Sequence, residues 1–361
     1  MSRSLFILLI ALAPAAALAQ TPAPEIKFDA NADFLKLPAD LHLGEVSGVA
    51  VNSKRHIFVF QRGSTTGPAY AAAAAQLLEF GPDGKFIREI GKNLYAWSYS
   101  HTVRIDKDDN IWAVDKGSDM IIKFNPDGRV VMVFGRKKEA SDEAVPWTRV
   151  TPVRPAVDGL FRQPTDVTWD TEGNIFISDG YINSRVAKFD KNGDWVKQWG
   201  DRGEKQGEFN TPHSIAADAK GNIYVADRGN RRIQVFDPNG TFIRMITIDV
   251  PFDPNARPAQ GNMLPPEAGA RQNGAPWAIC ITPGPNQVLF SSDAYPGRVY
   301  KLTLDGKVLG VFGRSGKQPK QFGWIHEIAC PSENEIYVAE LLNWRVQKLT
   351  LHPEPGQKAS R

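Results

Sequence analysis

Cysteine is scarce in this chain, with two residues, Cys280 and Cys330, in 361. That excludes a disulfide framework and any cysteine-rich metal cluster. An excess of one charge is also lacking. The net charge is +3, from 43 Lys and Arg against 40 Asp and Glu, so no strong field attracts nucleic acid or anionic lipid. No window of about ten or more residues carries a convincing 3.6-residue apolar period, which argues against a helical fold. What is present is a composition able to bury a core, 42% hydrophobic and 10% aromatic. Gly 31 and Pro 26 indicate many turns.

The longest apolar run, Leu5 to Ala17, follows Arg3 and precedes Ala17-Leu18-Ala19 and Gln20. A basic start, a short apolar core and a small-residue cleavage site predict a signal peptide over 1–19. The run is short of the roughly 20 apolar residues that a membrane span needs. The expectation is a secreted or periplasmic protein with no stable membrane insertion. Residues 20–45 read as a lead-in, 46–351 as a repeat region and 352–361 as a tail.

The repeat region has one recurring unit. Ile111-Trp-Ala-Val-Asp115, Ile175-Phe-Ile-Ser-Asp179 and Ile223-Tyr-Val-Ala-Asp227 each follow a turn of one kind, Asp106 to Asn110, Asp170 to Asn174 and Asp218 to Asn222. Each leads to a further strand, an Asx-Gly turn and a last strand. Short β-rich runs joined by such turns are antiparallel hairpins. Four strands at a period of roughly 40–50 residues are a propeller blade. Weaker copies over Ser47–Gly91, Pro276–Gly313 and Ile325–Leu351 bring the total to six. The predicted fold is an all-β, six-bladed β-propeller.

Fourth strands are legible at Phe86–Ile90, Val130–Phe134, Trp195–Trp199, Phe242–Ile246 and Val308–Phe312, five for six blades. An N-terminal segment such as Asp33–Leu37 is predicted to supply the sixth, because an open ring exposes unpaired strand edges. Two insertions, Lys137–Gly159 and Pro251–Arg271, read as loops. Ala71–Ala75 reads either as a helical turn or as disorder. Cys280 and Cys330 fall in different blades at neighbouring repeat positions. They are expected as free buried thiols, with a disulfide as the alternative in an oxidising compartment.

Three of the six histidines occupy one repeat position, just before the first strand of a blade: His101, His213 and His326. The intervening blades carry Ser47, Thr165 and Trp277 there. The histidines therefore sit on blades two, four and six. First strands line the channel of a propeller, so three alternate blades place three imidazoles around one axis. Three neutral imidazoles with an open position are the ligand set of catalytic zinc, and ligand type also admits copper, nickel or iron. The blander alternative is three rim histidines bonded to neighbouring backbone carbonyls. His42, His56 and His352 lie outside the register and read as surface residues.

The second strand returns to the same rim. At its end stand Arg62, Lys116, Gly180-Tyr181, Arg228, Ala294-Tyr295 and Leu341 in blades one to six. Asp115, Asp179, Asp227, Asp293 and Glu340 precede five of these, and their regular recurrence points to turn capping. The irregular Arg62, Tyr181 and Arg228 bring two cations and a phenol near the histidines.

The unit over Phe209-Asn-Thr-Pro-His-Ser-Ile215 and Asn222 to Phe236 resembles the NHL-repeat propeller family. Val46-Ser-Gly-Val-Ala50, Phe60-Gln-Arg-Gly63, Ser178-Asp-Gly-Tyr-Ile-Asn-Ser-Arg185, Pro212-His-Ser214, Ala226-Asp-Arg228 and His326-Glu327 resemble the peptidyl-α-hydroxyglycine α-amidating lyases within it. The likeness covers nearly all of the mature chain. It implies a zinc ion on His101, His213 and His326, Tyr181 as the base for a substrate hydroxyl, and Arg62 and Arg228 binding a carboxylate. It also implies a structural calcium held by Glu327, where the family has Asp, with the backbone carbonyls of Val49 and Val103. Trp324-Ile325 replaces the family's Met-Pro, and Ile182 stands where animal members carry a disulfide cysteine. No monooxygenase segment accompanies the propeller, so the resemblance implies a separate hydroxylating enzyme and a peptide or small acyl substrate.

Three functions compete at this level. The first is a metal-dependent lyase splitting N-acyl-α-hydroxyglycine-type carbinolamides into an amide and glyoxylate. The second is a non-enzymatic exported binding or scaffold protein. The third, a propeller hydrolase or lactonase, needs several inward carboxylates and Asn on calcium, where this register offers histidines.

Overall fold

A computed structural model describes residues 22–63, 75–138, 152, 154–259 and 273–352. The fold is an all-β six-bladed propeller, each blade one four-stranded antiparallel sheet. The innermost strands are Glu45–Val51, Ser100–Ile105, Asp166–Trp169, Pro212–Ala217, Ala278–Ile281 and Ile325–Ala329. Among the described residues the one helical element is the 3₁₀ turn Arg228–Asn230, and no helix there is long and apolar enough to cross a membrane. The leader segment, Ala71–Ala74 and most of both insertions lie outside the described residues.

The five fourth strands have the limits read from the sequence. The sixth does not. Lys27–Asn31, rather than Asp33–Leu37, pairs antiparallel with Arg345–His352 of the last blade, Lys27 opposite His352 and Asn31 opposite Lys348. Phe28 packs 5.0 Å from Phe312 and 6.3 Å from Phe322. Phe34 instead caps the junction of blades six and one against Tyr337, 5.5 Å between ring centroids.

The core is divided among the blade interfaces. Val114, Ile121 and Phe134 of blade two, for example, pack on Val167, Ile177 and Ala187 of blade three. Val46 and Val59 of blade one pack on Ala339 and Val346 of blade six. In blades two to six the second strand ends at a buried acid that ties the blade together. Asp227 accepts from Asn210 N, Asn230 Nδ2 and Arg232 Nε, and Glu340 from Gly323 N, Asn343 Nδ2 and Arg345 Nε. The capping role expected of these acids is what the geometry gives.

Cys280 and Cys330 form a disulfide between blades five and six, so the expectation of free thiols is corrected. Neighbouring repeat positions on adjacent inner strands set their Cα atoms 6.1 Å apart, within bridging reach.

Candidate metal centre

His101, His213 and His326 come together at the axis. Their rings lie 4.8, 4.5 and 4.8 Å apart by centroid, and one nitrogen of each lies within 4.8 Å of the others. Local backbone explains the aim. The ladder passes from Ser100 to Thr102, from Pro212 to Ser214 and from Ile325 to Glu327, skipping each histidine. A β-bulge of this kind leaves one residue unpaired and re-aims its side chain.

The other ring nitrogens are fixed by the odd-numbered blades. Nδ1 of His101, His213 and His326 donates to the carbonyls of Thr165, Trp277 and Ser47 at 2.6, 2.7 and 2.7 Å. These acceptors are the residues that occupy the histidine register on blades three, five and one. Carbonyl bonding and convergence on the axis therefore both hold, on different nitrogens of each ring. With Nδ1 protonated, Nε2 keeps its lone pair toward the axis, the tautomer a metal ligand needs. All three rings are buried. Burial is the first cause that pushes each imidazole well below its ordinary range; His213 and His326 then act on His101, Arg228 on His213 and Arg62 on His326. A neutral, preorganised His₃ set fits zinc.

Tyr181 leans over this set. Its hydroxyl lies 3.1 Å from His213 Nε2 and 3.4 Å from His101 Nε2. Gly180 permits the approach, because a Cβ there would sit 2.0 Å from the Pro212 carbonyl oxygen. Burial pushes the phenol up, but Lys116, Arg228 and Arg62 outweigh it and bring it below the ordinary value. Lys116 Nζ stands 3.7 Å from the Tyr181 ring centre. Burial in turn pulls the Lys116 ammonium down, against Tyr181 and with Arg62 and Arg228. Lys116 shares the repeat position of Arg62 and Arg228, so its signal was available in the sequence, yet the phenol's principal cation was not singled out there.

Arg62 is held by Glu45 at 2.6 Å and by the Ser100 carbonyl, over the Tyr99 ring at 3.8 Å. Arg228 lies over Trp277 at 4.5 Å and Tyr181 at 5.5 Å, and its buried Nε has no protein partner. Trp277 stacks with Trp324 at 5.3 Å. Cations and aromatic rings thus alternate around the site.

At the expected calcium site the chain's own groups already meet the Glu327 carboxylate. Glu327 Oε2 accepts the amide N–H groups of Val49 and Val103 at 3.0 and 3.1 Å, so donors from those residues, and not their carbonyls, meet the carboxylate. Its Oε1 lies 3.1 Å from Arg104 Nε.

The NHL repeat family profile matches residues 209–236. Over 339 residues the chain is 27% identical to peptidylglycine α-amidating monooxygenase of Rattus norvegicus, spanning 85% of this chain and 30% of that protein. It is 26% identical over 345 residues to peptidyl-α-hydroxyglycine α-amidating lyase 1 of Drosophila melanogaster, spanning 86% and 57%. The chain thus spans between three tenths and three fifths of the length of these curated relatives. Among solved structures, a streptogramin B lyase superposes with TM-score 0.54 at 13% identity, covering 90% of this chain and 98% of that one, a likeness of fold alone. The chain is thus a six-bladed propeller with an NHL repeat match over residues 209–236, and its relatives include proteins named as α-amidating lyases.

Proposed function

We propose that the chain is a metal-dependent lyase that cleaves the C–N bond of N-acyl or peptidyl α-hydroxyglycine-type substrates to an amide and glyoxylate. The observation that carries this reading is the Tyr181 hydroxyl at 3.1 and 3.4 Å from the Nε2 atoms of two of three converging imidazoles.

A zinc ion held by His101, His213 and His326 would supply Lewis-acid polarisation of a substrate oxygen. Tyr181 takes the proton of the substrate hydroxyl. A free phenol, with a pKa of about 10, is a poor base at neutral pH, and the cations around Tyr181 favour its ionised form. As the C–O electron pair forms the aldehyde, the C–N pair moves to nitrogen, and Tyr181 returns the proton there. Atoms and charge balance with no further reactant. Arg228, whose buried Nε has no protein partner, and Arg62 across the site bind the substrate carboxylate. Trp277 and Trp324 receive the acyl side. The substrate comes from a separate hydroxylating enzyme acting on a peptide or small acyl-glycine.

The mature chain, we further propose, begins at Gln20 and works outside the cytoplasm, secreted or periplasmic. The Cys280–Cys330 bond supports an oxidising compartment. Mass spectrometry of the exported protein checks the cleavage site. Glyoxylate release from a synthetic N-acyl-α-hydroxyglycine tests the activity. Release at enzymatic rates is expected, and zinc-loaded protein with none would leave the binding-protein reading.

A further inference from the structure

Counting along the inner strands from the histidine register exposes a second constellation. One residue on stand Gly48, Thr102, Asp166, Ser214, Ala278 and Glu327, two acids among six; three residues on stand Ala50, Arg104, Thr168, Ala216, Cys280 and Ala329, with one charge. Arg104 reaches back across the channel. Its Nε and Nη2 bond the two oxygens of Asp166 at 2.9 and 2.6 Å. Nε also lies 3.1 Å from Glu327 Oε1. Nη2 further approaches Ser214 Oγ and the Ile279 carbonyl at 3.2 and 3.3 Å, and Nη1 the Ile328 carbonyl at 3.4 Å.

We infer that the Arg104 guanidinium is a built-in axial cation that takes the place of a structural divalent ion and ties the inner strands of the ring together without calcium. The contacts join blade two to blades three, four, five and six, and Glu327 extends the set to blade one through Val49 N. Asp166, Glu327 and two carbonyls are oxygen donors of the kind a hard cation selects. Arginine answers them with a fixed fork of donors and a charge it does not lose. The acids are buried, Asp166 fully and Glu327 to within 1%, while the Arg104 side chain keeps 14% of its surface exposed, so the carboxylates depend on protein partners and not on bulk water. Removing one member of such a set leaves uncompensated charge in the interior.

The inference goes beyond the lyase reading and its test uses no turnover. Full-length exported protein, zinc-loaded and freed of calcium, is titrated with calcium while thermal melting and bound calcium are recorded. The parent is expected to take up no calcium and to melt at an unchanged temperature. Arg104→Met, which keeps bulk and removes charge, is expected to melt about 5–10 °C lower, to bind calcium and to regain part of the loss. Should that variant give no soluble protein, Arg104→Gln, which also removes the charge but keeps a polar head, supplies the same readout. A parent chain that binds calcium, a variant as stable as the parent, or a destabilised variant indifferent to calcium would each overturn the proposal.

Discussion

Two neighbouring layers of the same inner strands solve the problem of a crowded axis in opposite ways. The histidine layer places three neutral imidazoles around the axis, each Nδ1 tied to a neighbouring carbonyl, with three lone pairs facing inward. The layer beside it places two carboxylates there and closes them with the chain's own guanidinium. The first could hold a cation from solution. The second already holds a cation of the chain's own, with Glu327 Oε1 in ion-pair range of it but without a hydrogen-bond donor. The comparison separates chemistry from stability within a few ångströms, since loss of a ligand-free acceptor set costs function while loss of a buried ion network costs fold.

Substitutions sharpen this division. The largest expected effect is on chemistry in the first layer. Tyr181→Phe should lower glyoxylate release by about 10²–10⁴-fold, the usual worth of a proton-transfer group, with zinc content and melting temperature unchanged. Full turnover in that variant would remove Tyr181 from the mechanism.

The pH dependence of the metal-free protein comes next. All three imidazoles have folded values well below the ordinary 6.5. Below that value the unfolded chain takes up protons that the folded chain refuses, so stability should be constant above 6.5 and fall as pH drops beneath it. The slope is at most about 1.4 kcal/mol per unit for each imidazole. Zinc should flatten the curve, because a bound metal excludes the proton. Melting temperatures from pH 8 to 5 with and without zinc check the sign.

The second layer should respond in stability alone. A Cβ on Gly48 would meet Glu327 Oε2 at 2.7 Å and Val103 N at 2.8 Å. Gly48→Ala should therefore cost about 1–3 kcal/mol of overpacking, read by denaturant titration, while glyoxylate release per folded molecule is retained. The smallest effect returns to the first layer. Lys116→Met removes the cation nearest the Tyr181 ring, so the phenol should rise. Turnover at neutral pH should fall about tenfold for a one-unit shift, and the pH–rate profile should move to the alkaline side. A unchanged profile would mean that Lys116 only packs.

The two layers were unequally legible in the sequence. The histidines stood out because identical residues recurred at one register on alternate blades, and their carbonyl acceptors, Ser47, Thr165 and Trp277, occupy that same register. The bulges that aim His101, His213 and His326 left no sequence mark, since a bulge is a displacement of pairing. Arg104 was missed for a different reason. Its partners Asp166 and Glu327 are two register positions away, on blades three and six, and a long side chain spanning that offset has no fixed spacing. The fourth strands of blades one to five were legible from their Asx-Gly turns. The closing strand Lys27–Asn31 had no turn to mark it, and its pairing with the last blade and the docking of Phe28 against Phe312 and Phe322 distinguish it from Asp33–Leu37.

Metal stoichiometry of the purified protein bears most directly on all of this. Elemental analysis after zinc loading and gel filtration should give about one zinc per chain, as a single His₃ site requires, and next to none in His213→Ala. A parent chain that retains no transition metal, or a His213→Ala variant that retains it in full, would contradict the axial site on which the chemistry depends.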